Sequence, residues 1–159
     1  MKTSHILVPI DFSAGSLRAL DYTVDLNRTL GAELEVLLVV EAIHLANPAS
    51  ILGPGKNLRM LVDEQIRVGQ AQLEQLKQDY AKKRVSLVTS LELGRPAMAI
   101  CEAAKKRKVD LIVMATHGRT GLSHVILGSV SEHVVREAPC PVLTVHTYKP
   151  KSKKPARKR

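Results

Sequence analysis

Residues 113–145 read VMATHGRTGLSHVILGSVSEHVVREAPCPVLTV, and this stretch decides the fold class of the chain. It predicts the end of a buried strand, a loop rich in glycine, a helix, a proline-bounded turn and one more strand. The strand begins at Leu111, and its continuous apolar run is typical of a strand covered on both faces. Ser129 directly follows Gly128, and we expect its side chain to cap the helix.

The loop between this strand and the helix contains Gly118 and Gly121, and Gly128 ends it. Glycine permits close backbone approach, and a helix N-terminus presents free N–H donors at the positive end of its dipole. The pattern therefore favours a phosphate-binding loop. The alternative is an ordinary strand-to-helix connection with a serine cap.

Strands and helices alternate along the rest of the chain. Ser13 is a predicted helix cap, Gly31 a predicted left-handed helix end, and Pro96 a predicted first-turn residue. The helix that ends near Lys105–Lys108 should place these charges on a solvated face. The remaining predicted elements are strands at His5–Ile10, Leu34–Val40 and Val85–Leu93, and a long helix whose core stripe is Val62, Ile66, Gly69, Leu73, Leu76 and Tyr80.

An order that starts and ends with a strand and alternates throughout requires a parallel sheet with right-handed crossovers. We therefore predict an α/β fold, an open doubly wound parallel sheet with helices on both faces. Ligands of such sheets bind at the carboxyl ends of strands where the winding direction reverses.

The composition is that of one domain of 159 residues with 45% hydrophobic residues. No apolar run approaches the roughly 20 residues that a membrane span needs, and the N-terminus lacks a signal-peptide pattern, so we expect a cytoplasmic protein. Cys101 and Cys140 lie in apolar patterns without metal-ligand spacing, which predicts inert buried thiols. His117, His124 and His133 are spaced too irregularly to predict a metal site.

The net charge of +9 comes mainly from the C-terminus. Residues 149–159 (KPKSKKPARKR) hold seven basic residues and no acidic one, which leaves +2 for the rest of the chain. We predict that residues 148–159 form a disordered, solubilising tail. The alternative is binding of nucleic acid or an anionic membrane surface. Such binding should be sequence-blind, because residues 149–159 contain no aromatic residue for base stacking.

The stretch from Ala115 to Val145, together with VPIDFS at residues 8–13, resembles the signature of the universal stress protein family. In the ATP-binding branch of that family the pattern is glycine, two residues, glycine, nine residues, glycine, then serine or threonine. Gly118, Gly128 and Ser129 match this pattern, whereas Ala115 replaces the first glycine. The resemblance covers Thr3 to His146, and we take residues 1–147 as the domain.

The resemblance implies a five-stranded sheet in the order 3-2-1-4-5, the adenine-nucleotide alpha-hydrolase-like fold. That order places the reversal between the first and fourth strands. It also implies ATP, or ADP or AMP, as the ligand, with Mg²⁺ held by Asp11 through phosphate or water. Capping of the first helix is the alternative role of Asp11. The implied nucleotide contacts are Pro9, Asp11, Val40, Met114, Ala115, His117, Gly118, Arg119, Gly121, Gly128, Ser129, Val130 and Ser131.

Function is predicted as an ATP-binding stress-response protein that acts as a nucleotide-dependent switch. Because no catalytic constellation is present, we do not expect an enzyme, although slow ATP hydrolysis is compatible with the pattern. The resemblance also implies a homodimer through the last strand, Pro141–Val145. The alternative function is a stress-induced interaction module that needs no nucleotide. Ala115 favours that alternative if its position requires a positive φ; we favour a strand-like Ala115.

Overall fold

The computed structural model describes residues 3–41, 58–116 and 127–146. Within these ranges five parallel strands form one sheet in the order β3-β2-β1-β4-β5. This arrangement confirms the predicted doubly wound α/β fold and its strand order. The strands are β1 His5–Ile10, β2 Glu33–Val40, β3 Val88–Leu93, β4 Leu111–Ala115 and β5 Val142–Val145, and the helices are α1 Ala14–Leu30, α2 Leu58–Lys82, α3 Pro96–Lys106 and α4 Ser129–Glu137.

Helices cover both faces of the sheet, which explains the long apolar runs in its central strands. On one face, Leu20 of α1 and Leu73 of α2 pack with Ile6 of β1. On the other face, Ile100 of α3 and Val134 of α4 pack with residues of β1 and β4. Since side chains alternate along a strand, both faces of β1 must be hydrophobic to fill both layers.

The structure confirms the helix boundaries predicted from Ser13, Gly31 and Pro96. Ser13 is the N-cap of α1, and its hydroxyl accepts a hydrogen bond from the Ser16 amide at 3.2 Å. Gly31 ends α1 with φ of 64°, and its amide donates to the Asn27 carbonyl at 2.8 Å. Pro96 occupies the first turn of α3, where its missing N–H costs nothing.

Strand β3 begins at Val88, three residues after the predicted start at Val85. The amide of Val85 donates to the carbonyl of Tyr80 at 3.0 Å, so this residue completes the end of α2. Its backbone group is therefore not available to the sheet. The apolar alternation before Val88 reflects contact with the core rather than strand pairing.

The prediction of a solvated face at the end of α3 was wrong for Arg107. Its guanidinium donates to the carboxylates of Glu35 and Glu92 and, at 2.8 Å, to the hydroxyl of Ser90. The Glu35 side chain is only 6% exposed, and it also contacts His5 Nε2 at 3.0 Å. Arg107 thus neutralises a buried charge on β2.

Cys101 and Cys140, predicted to be inert buried thiols, are free and half-buried. Burial raises the pKa of both thiols, and nearby carboxylates raise it further. The chemical consequence, a low thiolate fraction at neutral pH, is the one expected of inert thiols.

Among the described helices, none combines the length and the apolar character needed to cross a bilayer.

Candidate functional site

A cavity of about 750 Å³ opens at the carboxyl edge of the sheet, where the strand order reverses between β1 and β4. The ends of β1, β2 and β4, the start of α4 and one side of α2 form its walls. The predicted site residues that line it are Pro9, Asp11, Val40, Met114, Ala115, Gly128, Ser129, Val130 and Ser131. The structure therefore brings together segments that lie more than 100 residues apart in the sequence.

Asp11 forms the wall of the cavity at the end of β1. Its Oδ1 accepts a hydrogen bond from the Ser13 amide at 3.0 Å, and its own amide donates to the Ser16 hydroxyl at 3.3 Å. These contacts fix the turn between β1 and α1 and orient the carboxylate. Because Ser13 itself is the N-cap, the alternative role for Asp11 as the helix cap is wrong.

The start of α4 forms the opposite wall. Gly128 is the N-cap, with φ of −72° and ψ of 156°, and no side chain caps this helix end. The prediction that the Ser129 side chain caps the helix was therefore wrong. The first helical hydrogen bond runs from the Glu132 amide to the Gly128 carbonyl at 2.8 Å. The amides of Ser129, Val130 and Ser131 precede it, so they have no acceptor within the helix and suit an anion.

The side chain of Ser131 points back into the protein. Its hydroxyl lies 2.8 Å from the Thr116 carbonyl and 3.0 Å from the Gly128 carbonyl. Ser129, in contrast, is exposed at the first position of α4. The two serines of the GSVS sequence thus occupy different environments, which their spacing alone does not show.

Ala115, which stands where the family pattern has its first glycine, is the last residue of β4 and pairs with Val145 of β5. Among the described residues other than glycine, positive φ occurs only at Phe12, Arg84 and Lys108. Alanine is therefore unstrained at position 115, as the expectation of a strand-like residue requires. Position 115 therefore gives no support to the alternative of an interaction module that needs no nucleotide.

Acidic groups dominate the charge of the cavity. Asp11, Glu41 and Glu64 line it, whereas none of the described lining residues is Lys, Arg or His. The Glu64 carboxylate is paired with Arg67 at 2.6 Å, and this hydrogen bond lowers the pKa of Glu64. Within residues 3–41, 58–116 and 127–146, no group of three or more His, Cys, Asp or Glu side chains is arranged to hold a metal ion.

One side of α2 also lines the cavity, although the apolar stripe of this helix predicted core packing. Its contribution consists of Glu64, Gln65, Val68, Gly69 and Gln72. Gly69 is the signal that was missed, because glycine inside a long helix indicates close backbone approach. A Cβ at this position would lie 2.8 Å from Leu38 Cδ2 of β2.

The predicted contacts His117, Gly118, Arg119 and Gly121 lie outside the described residues, as does the predicted tail at 148–159. The remaining predicted contacts converge on the cavity. They lie at the carboxyl ends of strands where the strand order reverses, which is where doubly wound sheets bind ligands.

Comparison with known proteins identifies the family of the chain. The sequence profile of the universal stress protein family matches residues 2–146 of the chain. The chain belongs to the universal stress protein family. It is 37% identical to universal stress protein MJ0531 of Methanocaldococcus jannaschii over 142 residues, which cover 88% of this chain and 80% of the relative. It is also 37% identical to universal stress protein YxiE of Bacillus subtilis, over 88% of this chain and 97% of the relative.

Solved structures of universal stress proteins share the fold. UspA from Lactobacillus plantarum is 28% identical, with a TM-score of 0.77 over 91% of this chain and 99% of that protein. A universal stress protein solved in complex with cAMP is 25% identical, with a TM-score of 0.64 over 93% of this chain and all of that protein. The family and the fold of the chain are thereby established.

Proposed function

We propose that this universal stress protein binds an adenine nucleotide in the cavity and acts as a nucleotide-dependent switch in the stress response. ATP is the first candidate ligand, with ADP and AMP as alternatives. The observation that carries the proposal is the convergence of Asp11, Val40 and the start of α4 on one cavity at the sheet reversal. The universal stress protein solved with cAMP, which shares the fold, supports an adenine nucleotide as the ligand class.

In the proposed complex the two ends of the ligand contact different walls. Pro9 and Val40 offer apolar surface to adenine and ribose, and the amides of Ser129 and Val130 offer donors to phosphate oxygens. A hydrogen bond to a charged group contributes about 1.5–3 kcal/mol net. Two or three such bonds, with burial of the base, support micromolar affinity after the cost of association. The contacts proposed for His117, Gly118, Arg119 and Gly121 complete the set.

Mg²⁺ is proposed to accompany a triphosphate. The described lining is acidic, so a ligand with several negative charges needs a cation beside Asp11. Asp11 suits this role because Mg²⁺ prefers oxygen ligands and keeps several of its waters. In this scheme Asp11 contacts the ion directly or through water, and the phosphates supply further oxygens.

The proposed output of the switch is a change in protein–protein contact rather than a chemical product. Strand β5 is an edge of the sheet, paired with β4 along one side. We propose that Pro141–Val145 pairs with a second copy to form a homodimer, since an uncovered strand edge favours such pairing. We further propose a cytoplasmic location, binding without dedicated catalysis, and at most slow ATP hydrolysis. Sedimentation as a monomer alone at tens of micromolar would refute the dimer.

Two measurements test the nucleotide proposal. Mass spectrometry of small molecules released from freshly purified protein should detect an adenine nucleotide. Replacing Gly128 with valine should abolish ATP binding, because a branched side chain there occupies volume at the phosphate end of the cavity. Ala81→Val, at an exposed position near the end of α2, is the control and should bind like the wild type. Equal binding by both variants would contradict the proposed site.

A further inference from the structure

Ser131 lines the cavity, yet its hydroxyl is committed to the protein. The residue is 3% exposed, and its Oγ lies within hydrogen-bonding distance of the carbonyls of Thr116 and Gly128. A serine hydroxyl has one hydrogen to donate. Ser131 therefore cannot donate to a phosphate without giving up its bond to these carbonyls.

The Thr116 carbonyl is the common acceptor at this point. It accepts hydrogen bonds from the Gly128 amide and from the Ser131 hydroxyl, each at 2.8 Å. One carbonyl oxygen after the end of β4 thus fixes both the N-cap and the first turn of α4. Thr116 is itself fixed from the other side. Its amide donates to the Val145 carbonyl at 3.2 Å, and its side-chain oxygen lies 3.3 Å from Nδ1 of His146.

We propose that the side chain of Ser131 positions the donors for phosphate and does not itself bind phosphate. By bonding to Thr116 it fixes the direction of the first turn of α4, and thus the direction of the Ser129 and Val130 amides. A donor that is already aligned lowers the free-energy cost of ordering the site when the ligand binds. This inference rests on the proposed function, and it assigns to Ser131 an effect on the phosphate part of the ligand alone.

The test compares ligands with and without phosphate. Isothermal titration calorimetry measures the affinities of the full chain for ATP, AMP and adenosine. In Ser131→Ala we expect affinity for ATP and AMP to fall by about threefold to tenfold, the effect of one net hydrogen bond. Adenosine affinity should change by less than about twofold. Ser131→Cys, a variant of similar size with a weak donor, should give an intermediate result for ATP and AMP.

Thr23→Val is the matched control. Thr23 is fully buried, and its hydroxyl donates to the Ala19 carbonyl at 2.7 Å within α1, outside the cavity lining. This variant also loses a buried hydroxyl bond, so it lowers the unfolding midpoint without altering the ratio of ATP to adenosine affinity. If Ser131→Ala does not fold, Ser131→Cys supplies the same comparison.

A second measurement separates positioning from direct contact. In the nucleotide-free protein, the NMR amide resonances of Ser129 and Val130 should shift in Ser131→Ala, because their orientation changes before any ligand binds. Unchanged amide resonances, or an equal loss of affinity for ATP and adenosine in Ser131→Ala, would overturn the inference without contradicting the proposed function. A wild-type protein that binds none of the three ligands would instead overturn the proposed function itself.

Discussion

Arg107 gives the sharpest test of how strands β2 and β3 are held to the end of α3. Replacing it with methionine keeps the apolar stem and removes the guanidinium that contacts Glu35, Glu92 and Ser90. Glu35 then keeps two partners, the Ser90 hydroxyl at 2.7 Å and His5 Nε2 at 3.0 Å. Its carboxylate remains almost inaccessible to water, so the variant leaves a buried charge without its cation.

The size of the effect follows from burial. Removing one member of a fully buried ion pair costs about 3–5 kcal/mol. The Arg107 side chain is 23% exposed and Glu35 retains two hydrogen bonds, so we expect a loss at or below the lower end of that range, about 2–3 kcal/mol. Glu92 adds little, because its side chain is 42% exposed and water replaces the lost partner.

Urea denaturation measures the free energy of unfolding for this comparison. Arg136→Met is the control, since its ion pair with Glu132 at 3.0 Å is exposed on both sides and should contribute under about 0.5 kcal/mol. The double variant Glu35→Leu with Arg107→Met should recover most of the lost stability, because no buried charge remains. If Arg107→Met loses no more unfolding free energy than Arg136→Met, or if the double variant is less stable than Arg107→Met, this reasoning is refuted.

Four further predictions address pH, thiols, magnesium and the tail. Hydrogen bonds from the side chain and the amide of Ser4 lower the pKa of Asp110. The ionised carboxylate therefore stabilises the fold above the ordinary aspartate pKa, and this stabilisation is lost as the pH falls through the lowered pKa. In Asp110→Asn the free energy of unfolding should depend less on pH in this acidic range. Because burial raises the pKa of Cys101 and Cys140, both should react slowly with a thiol reagent at pH 7 and rapidly in urea. Chelating Mg²⁺ should weaken ATP binding more than AMP binding in calorimetry, and equal effects would contradict a role for the ion at the triphosphate. Deleting residues 149–159 should abolish salt-sensitive retention on a DNA column without changing ATP affinity; unchanged retention would exclude the tail as the binding segment.

Much of the fold followed from local signals in the sequence. Apolar runs located the central strands because a doubly wound sheet buries both faces. Ser13, Gly31 and Pro96 marked helix boundaries because each satisfies a specific backbone requirement. The strand order came from family resemblance, since the periodicity of hydrophobic residues does not encode it.

The errors occurred where the hydrogen-bond partner of a residue, rather than its type, decides the local structure. Arg107 looked like one more cation at a helix end, and only the folded chain places it against Glu35, 72 residues earlier. Val85 was predicted as a strand residue, but its amide donates to the carbonyl of Tyr80 instead of to a neighbouring strand. The bond from the Ser131 hydroxyl to the Thr116 carbonyl was likewise not predictable from the sequence, because it depends on how α4 meets β4.

Titration of ATP into the full chain, freed of bound nucleotide and supplied with Mg²⁺, tests the central claim most directly. Calorimetry should show one site per chain with a dissociation constant in about the micromolar range, as expected from a few charge-assisted hydrogen bonds and burial of the base. Absence of binding at millimolar ATP, in protein whose circular dichroism and unfolding transition show it to be folded, would contradict the claim.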